Sequence, residues 1–197
     1  MNDAKSDPQV RRVAISPGSI SVLETARHDR PAGWSRLQVL ACGVCGTDLH
    51  LLHGMTLPTG AAYPVYPGHE VAARILEADP DADLSPGTTV ILHPLLPCGE
   101  CEPCKTGREH QCASGEMLGI HRAGGLSDEL IWRSDRLVAV NNLDPLLAAL
   151  LPDAVATAYH AVERAALPPG GKLAVIGAGG VGTNVLQISR ALDPASQ

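Results

Sequence analysis

Short apolar runs set off by glycine and proline fill roughly the first two thirds of the 197-residue chain. "RLQVLA", "VAARILEA", "TTVILHP", "ELIWR" and "RLVAV" have the length and β-branched content of strands. Turn signals such as "SPGS", "YPGH" and "SPGT" separate them. The pattern predicts a compact, mostly β domain, a barrel or sandwich, from Val13 to about Val140. Residues 1–12 read as a loose start.

The texture changes at Asn141. "DPLLAALLPDAVATAYHAVERAAL" is rich in Ala and Leu and is punctuated by Pro145 and Pro152. It predicts a helical turn or two before Pro152, then a helix from about Asp153 to Ala166. A loop, "PPGG", leads into "KLAVIGAGGVGTNVLQISRAL", which reads as strand, glycine turn and helix. There is no internal repeat and no low-complexity segment.

Hydrophobic residues make up 45% and charged residues 18%, a globular composition. With no phenylalanine, two tryptophans and three tyrosines, the core is expected to be aliphatic. A formal net charge of −6 argues against nucleic acid or an anionic membrane as the main partner. No apolar run reaches the roughly 18 residues of a membrane span. The opening "MNDAKSDPQVRR" lacks a signal-peptide apolar region. A cytoplasmic, reducing location is the expectation, and there clustered cysteines favour metal over disulfides.

That matters because four of the six cysteines fall between Cys98 and Cys112. Their spacing is Cys98-x2-Cys101-x2-Cys104-x7-Cys112. Short x2 loops would strain a disulfide. An iron–sulfur site of ferredoxin type also begins C-x2-C-x2-C, but its fourth cysteine follows three residues later and precedes proline. Here Ala113 follows Cys112. Four thiolates suit tetrahedral Zn²⁺, with bonds of about 2.3 Å and no open position, so this zinc is expected to be structural. Lys105, Arg108 and His110 lie close enough in sequence to offset its excess negative charge.

"ACGVCGTDLH" and "YPGHE" bear more on chemistry. Thiolate, imidazole and carboxylate at Cys45, His69 and Glu70 are all zinc-ligand types, and a catalytic zinc keeps one open position. One at a time, each has a plain structural reading. Gly177-Ala178-Gly179-Gly180-Val181-Gly182 fits G-x-G-x-x-G. It follows an apolar run and opens a helical pattern, the context of a dinucleotide fingerprint. Gly177, Gly179, Gly180, Val181 and Gly182 are therefore candidate cofactor-binding positions.

"CGVCGTDLH", "PGHE", the four-cysteine segment, "DAVATAYHAV" and "VIGAGGVG" occur in one order and at family-like distances. Together they resemble the N-terminal part of a zinc-dependent alcohol dehydrogenase of the medium-chain dehydrogenase/reductase superfamily. The resemblance spans roughly Val13 to Leu192. It implies an α+β architecture leading into α/β. A GroES-like catalytic domain would occupy residues 13–150, with a zinc lobe at 94–115. A connecting helix and the first βα unit of a Rossmann domain, incomplete here, would occupy residues 151–197. It also implies two Zn²⁺ per chain and NAD or NADP. The reaction would interconvert an alcohol with an aldehyde or ketone. Full-length members would be homo-oligomers acting on small molecules.

Residue by residue, Cys45 and His69 would hold the catalytic zinc, and Glu70 would bind it or stand just outside. The third ligand position falls on Asp153, whose other reading is a helix cap. Thr47 and His50 match the proton-relay positions, and Thr157 a position near the nicotinamide. One departure is Gly46, where the family often carries a basic residue that grips the pyrophosphate. Cys42 reads as packing at a strand end. The acidic ribose ligand expected about 20 residues beyond the glycines lies past Gln197. The chain thus reads as a fragment or truncated product. Against the enzyme stands a second reading: a zinc-stabilised module derived from such an enzyme, without turnover.

Overall fold

A computed structural model describes residues 9–195. Strand β1, Gln9–Ser16, turns back at Pro17-Gly18 into β2, Ser19–Ala26. Gly18 takes φ +73°, a conformation open to glycine and costly elsewhere. Residues 9–12, part of the segment expected to be loose, are strand, while residues 1–8 of that expectation lie outside the described residues. The pattern hid this hairpin because β2 is exposed almost throughout.

The main sheet has five antiparallel strands in the order β8-β3-β4-β5-β9. They are β3, Trp34–Gly43; β4, Glu70–Glu77; β5, Thr89–Leu92; β8, Glu129–Arg133; and β9, Leu137–Ala139. Each coincides with one of the five apolar runs. Two register shifts, at Arg36/Leu37 and Val39/Ala41, bend β3 against β4. A two-residue pair, β6 (Leu95–Leu96) with β7 (Glu116–Met117), closes the base of the cysteine segment.

Leu37, Val71, Ile75, Val90, Leu92, Leu118 and Trp132 form the main core. An aliphatic core was expected, yet its largest fully buried side chain is Trp132. The Trp132 indole N–H donates to the His93 carbonyl at 3.0 Å, and the ring meets Trp34 edge-on at 6.1 Å. That satisfied N–H is what lets a tryptophan be fully buried. A second cluster, Ile15, Leu51 and Val65, anchors helix α1, Gly46–Leu52, on β1. A third is built from Ala72, Ala148 and Ala149. Its small side chains let helix α3, Pro145–Ala148, lie close on the sheet.

Helix α4, Ala156–Ala165, follows a π turn at Leu151–Val155 and ends at Ala166 in the left-handed region. Helix α5 runs Gly180–Leu192. The strand expected in "KLAVI" does not form: residues 171–178 are unpaired, and Ile176 is fully exposed. A parallel strand is stable only between neighbours that accept its backbone hydrogen bonds, and none is present among the described residues. No helix among the described residues is long and apolar enough to cross a membrane.

Candidate metal centres and glycine turn

Cys45 is the N-cap of α1. The Thr47 backbone N–H donates to its Sγ at 3.2 Å. In return the Asp48 carboxylate accepts the Cys45 backbone N–H at 2.9 Å. This reciprocal cap holds the sulfur at the positive end of the helix. Burial pushes the Cys45 thiol up, but the hydrogen bonds from His69 and Thr47 outweigh it, and the net shift is downward.

His69 precedes β4 and is buried. Gly68 aims it, with φ +102°. A Cβ there would lie 2.6 Å from the Leu126 nitrogen and 2.7 Å from Cys42 Sγ, so only glycine fits. His69 Nε2 lies 3.1 Å from Cys45 Sγ and 3.1 Å from Asp153 Oδ2. Three donor types from three distant segments thus meet at one nitrogen. Burial opposes a charge on the ring. Asp153 and Cys45 outweigh burial and push its pKa up to about 10. The Asp153 carboxyl is held below its usual range by the His69 contact. Two anionic donors therefore stabilise positive charge at the centre of this cluster, which is what a Zn²⁺ cradle requires.

Asp153 sits within the π turn and makes no capping hydrogen bond, so the helix-cap role is not what the structure shows. Its second oxygen, Oδ1, accepts from Thr157 Oγ1 at 3.0 Å. Thr157 therefore orients a ligand candidate. π turns interrupt helices often at functional positions.

Glu70 is buried beside this set, and Gly43 leaves the room for its carboxylate. Burial first, then the charge of Asp153, pushes its pKa up, although the Ala154 backbone N–H and His69 act against the shift. Like Asp153, which touches only His69 among the cradle residues, it stands outside the group whose ligand atoms all lie close to one another. Cys45, Asp48 and His69 form that group, with ligand atoms all within 4.8 Å of one another. Asp48 escaped the sequence reading. Its signal was the spacing Cys45-x-x-Asp48, a capping box with a thiol in place of the hydroxyl. Its Oδ1 is buried without a partner among the described residues. Thr47 is half-buried and His50 exposed, and they lie one turn apart on α1. Cys42, at the end of β3, is packed and its thiol is pushed up to about 12 by burial.

The second cradle lies beyond β6. Cys98, Cys101, Cys104 and Cys112 have all sulfurs within 4.8 Å of one another. Cys101 and Cys104 stand 3.3 Å apart, and Cys98 and Cys104 3.9 Å. Tetrahedral zinc with bonds of about 2.3 Å needs sulfur separations of about 3.8 Å, so the set fits that ion. Cys101 N–H donates to Cys98 Sγ and Cys98 N–H to Cys112 Sγ, each at 3.4 Å. Backbone N–H groups of Glu100 and Cys101 push the Cys98 thiol down. Burial and the neighbouring sulfur push Cys104 up. Without a cation the four cannot ionise together. Helix α2, Glu102–Lys105, and the turn at Glu109–Gln111 bury nothing. Arg108, expected to offset the sulfurs, instead has Glu102 as its partner, with Nη2 donating to both carboxylate oxygens at 2.7 and 2.9 Å. Arg136 pairs with Glu109, which pushes its pKa up, and the Cys104 sulfur adds a smaller push the same way.

In the glycine segment the helix of the expected strand–turn–helix forms, but no strand precedes the turn. Gly177 has φ +101°, Gly179 is the N-cap of α5, and a Cβ at Gly182 would strike the Gly177 carbonyl. Gly177, Gly179, Gly180 and Val181 are exposed.

Residues 31–142 match the family model of the alcohol dehydrogenase GroES-like domain. The chain is 34% identical over 156 residues to L-galactonate-5-dehydrogenase of Escherichia coli K12, covering 79% of the chain and 45% of that protein. It is 36% identical over 184 residues to an NAD-dependent alcohol dehydrogenase of Sulfurisphaera tokodaii, covering 88% and 53%. The cobalt- and zinc-bound thermostable alcohol dehydrogenase of Pyrobaculum aerophilum superposes with a TM-score of 0.86 at 30% identity. That match covers 96% of this chain and 58% of the other. The chain spans about half the length of the curated relatives it matches.

Proposed function

The chain belongs to the zinc-dependent alcohol dehydrogenases through their GroES-like domain, and on that premise we propose that it carries the metal-binding machinery of an oxidoreductase. The reaction is interconversion of an alcohol and an aldehyde or ketone with NAD or NADP. The observation that carries this reading is the convergence of Cys45 Sγ and Asp153 Oδ2 on His69 Nε2, each at 3.1 Å.

In this reading Cys45, His69 and Asp153 hold the catalytic zinc, and Glu70 is a neighbouring carboxylate in reserve. Zinc supplies a Lewis acid for the substrate oxygen, and the nicotinamide supplies hydride transfer. Cys45 and Asp153 together bring two negative charges, matching a divalent ion. Asp48 fixes the α1 cap under Cys45, and Thr157 fixes Asp153, so both keep ligands in place. Thr47 stands beside the cradle as the first proton carrier, and exposed His50, one turn on, passes the proton to solvent. Cys98, Cys101, Cys104 and Cys112 hold a structural zinc. Gly177, Gly179, Gly180, Val181 and Gly182 present the N-terminus of α5 to the cofactor pyrophosphate. Residues 151–197 then form the connecting helix and the beginning of a Rossmann unit. The substrates are small molecules, and the compartment is the cytoplasm.

Metal analysis and turnover test this together. Two zinc ions per chain are expected, falling to one in Cys45→Ser. Alcohol-dependent reduction of NAD or NADP should vanish in the same variant. One zinc in the native protein would overturn the reading. Two zinc ions without turnover on an alcohol panel would support the second reading, a zinc-stabilised module. The unpaired segment 171–178 and the exposed Ile176 favour that alternative.

A further inference from the structure

Away from both cradles, a cavity of about 430 Å³ opens beside β1, β3 and β8, with the Tyr66 loop as one wall. None of the metal-cradle residues lines it. Its walls mix Val10, Trp34, Tyr66 and Leu130 with four arginines: Arg12, Arg27, Arg36 and Arg122. Three of the four have a carboxylate of their own. Arg27 forks onto Glu129 at 2.7 and 2.8 Å. Arg36 donates to Glu77 at 2.9 Å, and Arg122 to Glu116 at 2.6 Å.

Arg12 has none. It occupies an inward position of β1 and is 8% exposed. Its Nε is buried without a hydrogen-bond acceptor among the described residues. The compensation the structure gives its guanidinium is the Tyr66 ring, whose centroid is 5.9 Å away, at the outer limit of a cation–π contact. Burial draws the Arg12 pKa down, as expected of a cation lacking a counter-ion. Buried arginines are normally paired, and a guanidinium fork matches a carboxylate in shape. The cavity size is that of a small-molecule site, mostly apolar with a few aimed polar groups. One uncompensated positive charge calls for one negative charge. Flat aromatic walls call for a hydrocarbon body.

We propose that this cavity binds a small organic monocarboxylate, with its carboxylate on Arg12 and its apolar body against Trp34 and Leu130. The inference is independent of the dehydrogenase reading, because no metal or nicotinamide enters it.

The probe is benzoate, added to the zinc-loaded chain and followed by tryptophan fluorescence. The chain has two tryptophans, of which Trp34 lines the cavity and Trp132 is fully buried. Benzoate should produce a saturable change. Benzamide, the uncharged isostere, and inorganic phosphate, which lacks the apolar body, should each bind at least about tenfold more weakly. Arg12→Met should weaken benzoate by a similar factor, and Cys45→Ser should leave it unchanged. Equal binding of benzoate and benzamide overturns the proposal. So does no saturable response, unchanged binding in Arg12→Met, or loss of binding in Cys45→Ser, which would place the carboxylate at the metal. If Arg12→Met fails to fold, the three ligands on the unaltered chain still decide.

Discussion

The two cradles differ in how far along the chain their ligands are gathered. The cysteine lobe takes four sulfurs from one short segment, Cys98 to Cys112, held by a four-residue helix and a turn that bury nothing. The open cradle joins residues 24 and 84 positions apart. Its ligands hang from β3, β4 and the Ala148–Ala154 segment, all anchored on buried apolar side chains. On the proposed reading the lobe would depend on its ion for structure, whereas the open cradle would depend on the sheet to bind one. One site would then fold around metal, and the other would be folded before metal binds.

The strongest way to break this contrast is to take the metal away. Structural zinc in small lobes is worth on the order of 10 kcal/mol in isolated peptides. Chelation, or Cys101→Ala, should expose the backbone amides of residues 98–115 to hydrogen exchange while β3, β4 and β5 stay protected. Simultaneous loss of protection in the sheet would show that the lobe is not a separate unit. Trp132→Ala attacks the other side of the comparison. It should cost about 3–5 kcal/mol in urea unfolding, because the sheet loses its largest buried ring. Zinc at the open cradle should be lost along with that stability.

Gly68→Ala sharpens the comparison by touching the open cradle alone. A methyl group there meets the Leu126 nitrogen and Cys42 Sγ in a backbone region closed to alanine. The expected cost is about 2–3 kcal/mol, with zinc content falling from two to one and the lobe unaffected. Thr157→Val is gentler still. It removes the hydrogen bond to Asp153 Oδ1 and should weaken open-cradle zinc by about tenfold, read by competition with a chelator.

The smallest effect is a pH effect. Arg136 holds the Glu109 carboxyl below its ordinary value, at the edge of the lobe. A depressed carboxylate stabilises fully above its unfolded value, near 4.5, and that contribution fades as pH falls through the folded value. Glu109 is partly exposed, so screening limits the pair to about 0.5 kcal/mol. The stability gap between the native chain and Glu109→Gln should be present at pH 6 and shrink below about pH 4. A gap that widens in acid would reverse the assignment.

The five sheet strands were legible because each is a short apolar run between turn residues. The β1–β2 hairpin was not, because an exposed strand carries no hydrophobic signature; its pairing partner defines it. "KLAVI" shows the converse. Its composition says strand, but residues 171–178 stay unpaired, since composition cannot supply a neighbour. At the site, Cys45 and His69 were readable from local motifs. The buried Asp48 carboxylate was not, since its neighbour is a thiol acting as a helix cap. Arg108 was expected to balance the sulfurs, yet a closer carboxylate, Glu102, takes it.

What the amino-acid order alone determined is everything carried by neighbours in sequence. That comprises the spacing of the four sulfurs, the glycine motif and the five runs that became sheet strands. Only the tertiary structure decided which distant donors share a centre. Asp153 reaches His69 through the packing of Ala148 and Ala149 on Ala72, and the Arg12 Nε is left without an acceptor among the described residues. The reason is range. Backbone conformation and ligand spacing act over a few residues. Burial, charge balance and convergence depend on which surfaces the folded sheet brings together.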